Sequence, residues 1–243
     1  MRQFLGCSPL WRETKILVMP RPPRIIVPDW CYHFINRANR KAEIFHESSD
    51  YDAFIELIGE AQSRVHVPIH ACCLMPNHVH LVVQPGSGDD LIRWAHLLFT
   101  SHAHRYHARY GSSGHVWQGR FKTFAIQGDQ HLLSVMRYVE RNALAGKLVA
   151  RAEDWRWGSL RWRQTEVAPL ELAECPLDLP SYWVDYVNDP QTAVELAEIR
   201  TCVNRQRPFG SSEWVSAATD RLKNHQSLDP IGRPRKRKPD PVS

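Results

Sequence analysis

The 243-residue sequence predicts an α+β fold, a ferredoxin-like split βαβ sandwich built on an antiparallel sheet. Three observations predict it. Hydrophobic periodicity switches between two and roughly 3.6 residues in the order strand, helix, strand, strand, helix, strand, and one more helix follows. The second and third strands are joined by Met75, Pro76 and Asn77 alone, a connection so short that they can pair only as an antiparallel hairpin. Hydrophobic residues make up 43% of the chain, enough for a core, and no apolar run reaches the roughly 18 residues of a membrane span.

The chain begins with an N-terminal extension, residues 1–24, which runs into the proline-rich MPRPPRIIVP as an extended lead-in. LGCS at residues 5–8 glances at a lipoprotein cleavage site, but too few residues precede it for an apolar signal core. CYHFINRA, Cys31 to Ala38, reads as a strand that ends in a polar turn at Asn39 to Lys41. A helix follows, capped by Ser48, Ser49 or Asp50, with Phe54, Leu57, Ile58 and Ala61 on its apolar face.

Pro68 to Leu74 and His78 to Gln84 form the hairpin. After the PGSGDD loop, Leu91 to Tyr106 is helical, with Leu91, Trp94, Ala95, Leu98 and His102 on one side. These two helices are expected on one face of the sheet. Phe121 to Gln127 alternates as a strand, and a third helix is expected from Asp129 to Ala143, capped by Gly128 or Asp129 and carrying Leu132, Leu133, Val135, Met136 and Val139. Beyond Trp155 the pattern weakens. Residues 161–228 read as a helical C-terminal extension, with helices at Ala193 to Cys202 and Ser212 to Leu222, and residues 229–243 read as a disordered basic tail.

The formal charge is +5, and Arg233, Arg235, Lys236, Arg237 and Lys238 crowd one end. Such a balance favours an anionic partner, nucleic acid before membrane surface. Six cysteines show no C-x-x-C pair and no regular spacing, which fits a reducing cytoplasm better than a disulfide framework or a thiolate zinc site.

MPNHVHLVV, residues 75–83, carries the first chemical signal. Side chains alternate along a strand, so His78 and His80 share one face while Val79 and Leu81 enter the core. Two adjacent imidazoles can ligate a metal if a third ligand arrives from elsewhere, or can simply be half-exposed histidines bonded to loops. In SVMRYVERNALAG, Tyr138 and Asn142 lie four residues apart and share a helix face, offering a phenol and an amide oxygen. Glu140, a rival carboxylate, is rotated away from Tyr138. Imidazole suits zinc or manganese, whereas amide and phosphate oxygens suit magnesium or manganese.

PNHVHLVV, GHVWQGRFK, YVERNALAGKLV and DWRWGSL, taken in this order, resemble the HUH single-tyrosine transposases, in their REP-associated tyrosine transposase branch. The resemblance covers residues 25–160, and extends more loosely to RPFGSSEW, residues 207–214, and to GRPRKRK near the end. It implies that residues 25–160 are a catalytic domain in which His78, His80 and Asn142 hold Mg²⁺ or Mn²⁺ and Tyr138 is the nucleophile. It also implies a monomer or homodimer in the bacterial cytoplasm, at the nucleoid, that cuts and rejoins single-stranded or hairpin repeat DNA through a 5′-phosphotyrosine. A phenol of pKa about 10 leaves more readily than an alkyl alcohol, so such a linkage permits religation without ATP. Two other readings use the same residues: a non-catalytic repeat-binding protein, and a metal-dependent nuclease in which water attacks.

Single-stranded DNA calls for basic residues along a groove and aromatic platforms. Arg37, Arg40 and Lys41 after the first strand are candidates, as are Trp117, Arg120, Phe121 and Lys122 in HVWQGRFK, although the aromatics can equally be core. Arg233 and Arg235 lie in a tail that resembles an AT-hook and can equally be a generic phosphate binder.

Overall fold

The computed structural model describes residues 25–228. Within them the chain runs β1 (Cys31–Arg37), α1 (Ser48–Arg64), β2 (Ile69–Met75), β3 (His78–Val83), α2 (Gly88–Tyr110), β4 (Lys122–Ile126), α3 (Gln130–Glu140) and α4 (Asn142–Ala145). Then follow α5 (Ser159–Trp162), α6 (Trp183–Asn188), α7 (Ala193–Arg205) and α8 (Ser212–Arg221). The strands lie in the order β2-β3-β1-β4 and every neighbouring pair is antiparallel. This is the expected ferredoxin-like order, with β3 and β1 inside.

Alternation along the strands divides the core in two. Phe34, Val79 and Leu81 face α1 and α2, meeting Phe54, Ile58, Leu91, Trp94 and Leu98. Val82, Phe124 and Ile126 face the other way, meeting Leu132, Val135, Met136 and Val139 of α3, with Trp183, Val187 and Ile199 behind them. The apolar faces read from the sequence are therefore those buried in the fold.

Boundaries differ where caps act from unexpected positions. α1 is capped by Glu47 rather than by Ser48, Ser49 or Asp50, and the Asp50 carboxylate, inside the first turn, reaches back to accept from the backbone N–H of Glu47 (3.0 Å) and His46 (2.9 Å). α2 extends beyond both expected ends: Ser87 Oγ accepts from Asp90 N–H at one, and Gly111, at φ 57°, ends the helix in the left-handed region at the other. Asp129 caps α3 by accepting from His131 N–H. The third helix does not run through to Ala143, since it breaks at Arg141 and α4 starts at Asn142.

Both edges of the sheet are covered by segments from beyond residue 142. Along β2, Leu74 N–H donates to the Trp157 carbonyl (3.0 Å), Trp155 Nε1 donates to the Leu74 carbonyl (2.9 Å) and Cys72 N–H donates to Ser159 Oγ (2.9 Å). Along β4, Phe209 N–H donates to the Ala125 carbonyl and Gln127 N–H to the Phe209 carbonyl, each at 2.9 Å. DWRWGSL and RPFGSSEW thus satisfy backbone groups that an edge strand otherwise exposes. Gly210 lets the second segment approach, since a Cβ there would lie 2.5 Å from Gln127 Oε1 and 2.7 Å from the Trp214 ring.

Cys31, Cys72, Cys73, Cys175 and Cys202 are free thiols. Burial pushes Cys31, Cys73 and Cys202 up to about 12, as expected of inert packing groups. No helix among the described residues is long and apolar enough to cross a membrane. The N-terminal extension and the basic tail, with Arg233 and Arg235, lie outside the described residues.

Candidate active site

Pairing on β3 decides what surrounds the histidines. His78 is opposite Arg37 on β1 and Met75 on β2, and His80 is opposite Ile35 and Cys73. Directly opposed residues point to the same face. The face that looks toward α3 therefore carries His78, His80, Arg37 and, four residues back along β1, His33. The His78 and His80 rings lie 4.8 Å apart between centroids, and Tyr138 on α3 meets His80 edge-on at 5.7 Å. A cleft of about 490 Å³ opens here, lined by His78, Tyr138, Arg141, Asn142, Gln191 and Arg200 among others.

The hydrogen bonds fix which atoms remain available. Asn77 donates its amide N–H to the Lys41 carbonyl (3.1 Å), so its oxygen faces His78 Nδ1 at 2.6 Å and accepts from it. His80 Nδ1 lies 2.8 Å from His33 Nε2. Asn142 donates its amide N–H to the Tyr138 carbonyl (2.9 Å), which leaves its oxygen open. What remains without a protein partner among the described residues is Nε2 of His78, Nε2 of His80 and the Asn142 oxygen. No three His, Cys, Asp or Glu side chains converge as a metal site among the described residues. Two imidazole nitrogens and one amide oxygen fit a divalent ion that keeps further positions open for phosphate oxygens.

Burial sets the protonation states. It lowers His78 to about 4, with Arg37 adding to the effect, and holds His80 well below its usual value, with His78, His33 and Arg37 adding. Both rings are thus neutral at physiological pH, which is the ligating form. Burial raises the Tyr138 phenol above its ordinary value, opposed by the positive charges of Arg200 and Arg37.

His33 and Arg200 are the residues that sequence reasoning missed. His33 had a signal, since in CYHFINR it shares strand parity with Arg37. Arg200 had none, because only tertiary packing brings α7 to the cleft. Two arginines, Arg137 of α3 and Arg141 just after it, arrange that packing: Arg137 donates to the Asp189 carbonyl (2.8 Å) and lies 4.0 Å over the Tyr186 ring, while Arg141 donates to the Val187 carbonyl (3.0 Å). Glu140 faces away from the histidines. Its carboxylate accepts from Ser159 Oγ (2.6 Å), Arg163 Nε (3.0 Å) and Trp183 Nε1 (2.7 Å).

The candidate DNA contacts separate. Arg37 is half-buried beside His78, and Lys122, opposite Ile35, shares the active-site face and is exposed. Arg40 and Lys41 are exposed in a turn with φ of 54° and 59°. Trp117 is a correction to the platform reading: only 7% exposed, it packs against Phe54, Phe99 and His102, because its bridge to Ala38 draws it over α1 and α2. Phe121 stacks on Phe34 at 4.5 Å. Arg120 is exposed and borders a second cleft of about 580 Å³ beside α2, on the opposite side of the sheet from the histidines.

Residues 26–142 match the family model described as "Transposase IS200 like". A Haemophilus influenzae protein named as a REP-associated tyrosine transposase is 31% identical over 40% of this chain, and the match spans only 62% of that relative's length. Among solved structures, a REP-associated tyrosine transposase bound to a REP hairpin aligns over 72% of this chain and all of its own, at 19% identity and a TM-score of 0.49. A transposase-like protein from Deinococcus radiodurans R1 aligns over 50% of this chain and 96% of its own, at 15% identity and a TM-score of 0.36. His78, His80, Tyr138 and Asn142 all fall inside the segment, residues 26–142, that is similar to the IS200-like transposases.

Proposed function

We propose that this protein cleaves and rejoins single-stranded or hairpin-forming repeat DNA through a 5′-phosphotyrosine on Tyr138. One observation carries the reading: His78, the Asn142 amide and the Tyr138 phenol line one cleft, with the buried His80 ring against both His78 and Tyr138, within the segment that matches the transposase family model. His78, His80 and Asn142 would hold Mg²⁺ or Mn²⁺, which when bound supplies Lewis-acid stabilisation of the charge that grows on the non-bridging phosphate oxygens.

The protein's own groups do the rest. Tyr138 Oη attacks the phosphorus, the new phenol-ester bond forms as the bond to the 3′ oxygen breaks, and a free 3′-hydroxyl leaves after taking a proton. The phenolic proton passes to solvent. Arg37 and Arg200 bring positive charge to the phenolate and to the scissile phosphate, in a cleft whose walls exclude part of the water. Because the bond is stored as an ester of a good leaving group, a 3′-hydroxyl can reverse the step. The same reading puts the protein at cytoplasmic DNA.

A labelled hairpin oligonucleotide incubated with Mn²⁺ or Mg²⁺ tests it. Wild-type protein is expected to acquire the label covalently and Tyr138→Phe to acquire none. Cleavage without a protein-linked product would instead assign attack to water, and tight binding without cleavage would make the protein a repeat-binding module.

A further inference from the structure

His33 belongs to none of the motifs that carry the family resemblance, yet it is the most enclosed polar side chain at the site. It is fully buried, its Nε2 lies 2.8 Å from His80 Nδ1, its ring stacks on Phe124 at 4.8 Å, and its edge meets Tyr138 at 6.1 Å. Its Nδ1 is buried with no partner among the described residues.

We propose that His33 is the positioning residue for His80, accepting the His80 Nδ1–H so that the Nε2 lone pair of His80 is left free beside His78. This rests on the metal-holding role proposed above for His80. The alternative proton placement would let His33 donate to His80 Nδ1 and would put the His80 proton on Nε2, where no metal could be ligated. The buried, unpartnered Nδ1 of His33 does not choose between the two, since it is an orphan donor in one and an orphan acceptor in the other.

His78 shows what the site does choose. There the same nitrogen, Nδ1, is engaged by an acceptor whose orientation is itself fixed, the Asn77 oxygen held by the Lys41 carbonyl. Each ligand histidine thus has one partner at Nδ1 and one free Nε2: an amide serves His78 from the turn, and an imidazole serves His80 from the neighbouring strand. Such partners orient a ligand ring and raise its basicity. The stack on Phe124 keeps the His33 ring from turning away. His33 also separates His80 from Phe124 and touches the nucleophile's ring, so one side chain sets both the tautomer of a ligand and the floor beneath Tyr138.

The proposal is tested without DNA and without turnover. Mn²⁺ binding to the whole chain, followed by the loss of the free-ion EPR signal, is expected to weaken roughly 10- to 100-fold in His33→Phe, which keeps a ring but offers no acceptor. His33→Asn, which restores an oxygen acceptor, is expected to recover part of the affinity, whereas a purely packing role would favour Phe. Equal Mn²⁺ affinity in wild type and a folded His33→Phe overturns the proposal. If wild type binds Mn²⁺ no better than His78→Ala, the metal reading itself fails, a separate result. Should His33→Phe not fold, the ring-nitrogen NMR signals of metal-free wild type decide: a protonated Nδ1 and bare Nε2 on His80 support the assignment, and a protonated Nε2 overturns it.

Discussion

Tyr138 stands between burial, which keeps its phenol protonated, and the charges of Arg200 and Arg37, which favour the phenolate. Burial is the larger influence, so near neutral pH the phenol carries its proton and, in the proposed reaction, must lose it as it attacks. Adduct formation should therefore accelerate as pH rises from about 7 toward the phenol's ordinary value near 10. Arg200→Gln removes one opposing charge and should shift that rise to higher pH, slowing single-turnover adduct formation near pH 8. An unchanged profile would show that Arg200 does not act on the phenol. Glu140 offers the complementary test. Its three donors are structural groups, so Glu140→Gln should cost about 3 kcal/mol of unfolding free energy by leaving Arg163 without its counter-charge, yet leave Mn²⁺ affinity as it was. The histidine pair and the Tyr138–Asn142 spacing were legible from sequence because each depends only on local periodicity. His33 had only its strand parity with Arg37, and a lone histidine in an apolar strand reads as core until its partner strand is known, whereas Arg200 was not legible because it lies far along the chain from the cleft.

Secondary structure was legible for similar reasons, and its failures have local causes. α5 and α6 span four and six residues, too few to display a helical period, so nothing announced them. The start of α1 was misplaced because its acidic group works from inside the first turn. Asp50 accepts from two backbone N–H groups and from the Tyr110 hydroxyl at 2.6 Å, with Arg109 3.3 Å away. Burial alone would raise its pKa, but the Tyr110 and backbone hydrogen bonds and the Arg109 charge outweigh it and hold the carboxyl below its ordinary value. A carboxyl depressed in the folded state contributes stability above its unfolded pKa of about 3.9, and that contribution is lost as pH falls through the lower folded value. Asp50→Ala should accordingly cost about 1–2 kcal/mol in urea unfolding at neutral pH. The gap to wild type should narrow in acid near pH 2.5, well below the unfolded pKa. A gap that stays constant with pH would mean that packing, not the charged cap, carries the effect.

At the scale of the molecule, the segment that matches the family model, residues 26–142, is not the whole of the structural unit. It holds all four strands, but the coverings of both sheet edges come from later in the chain, at Trp155 to Ser159 and at Phe209. A fragment of residues 25–150 should then expose two edges and lose cooperative unfolding, whereas residues 25–228 should retain it, as circular dichroism during a thermal melt would read. The basic residues beyond 228 bear on a different property. Arg233, Arg235, Lys236, Arg237 and Lys238 carry positive charge that can neutralise phosphates. For single-stranded DNA, every phosphate that the protein no longer neutralises lowers the slope of log K against log salt by about 0.7. Deleting residues 229–243 should therefore weaken oligonucleotide binding at low salt and flatten its salt dependence, while the rate of adduct formation at saturating DNA stays that of the full chain. A full-length slope in the truncated protein would place the phosphate-binding groups on the folded part, with Arg37, Arg40, Arg120 and Lys122 as the residues to substitute next.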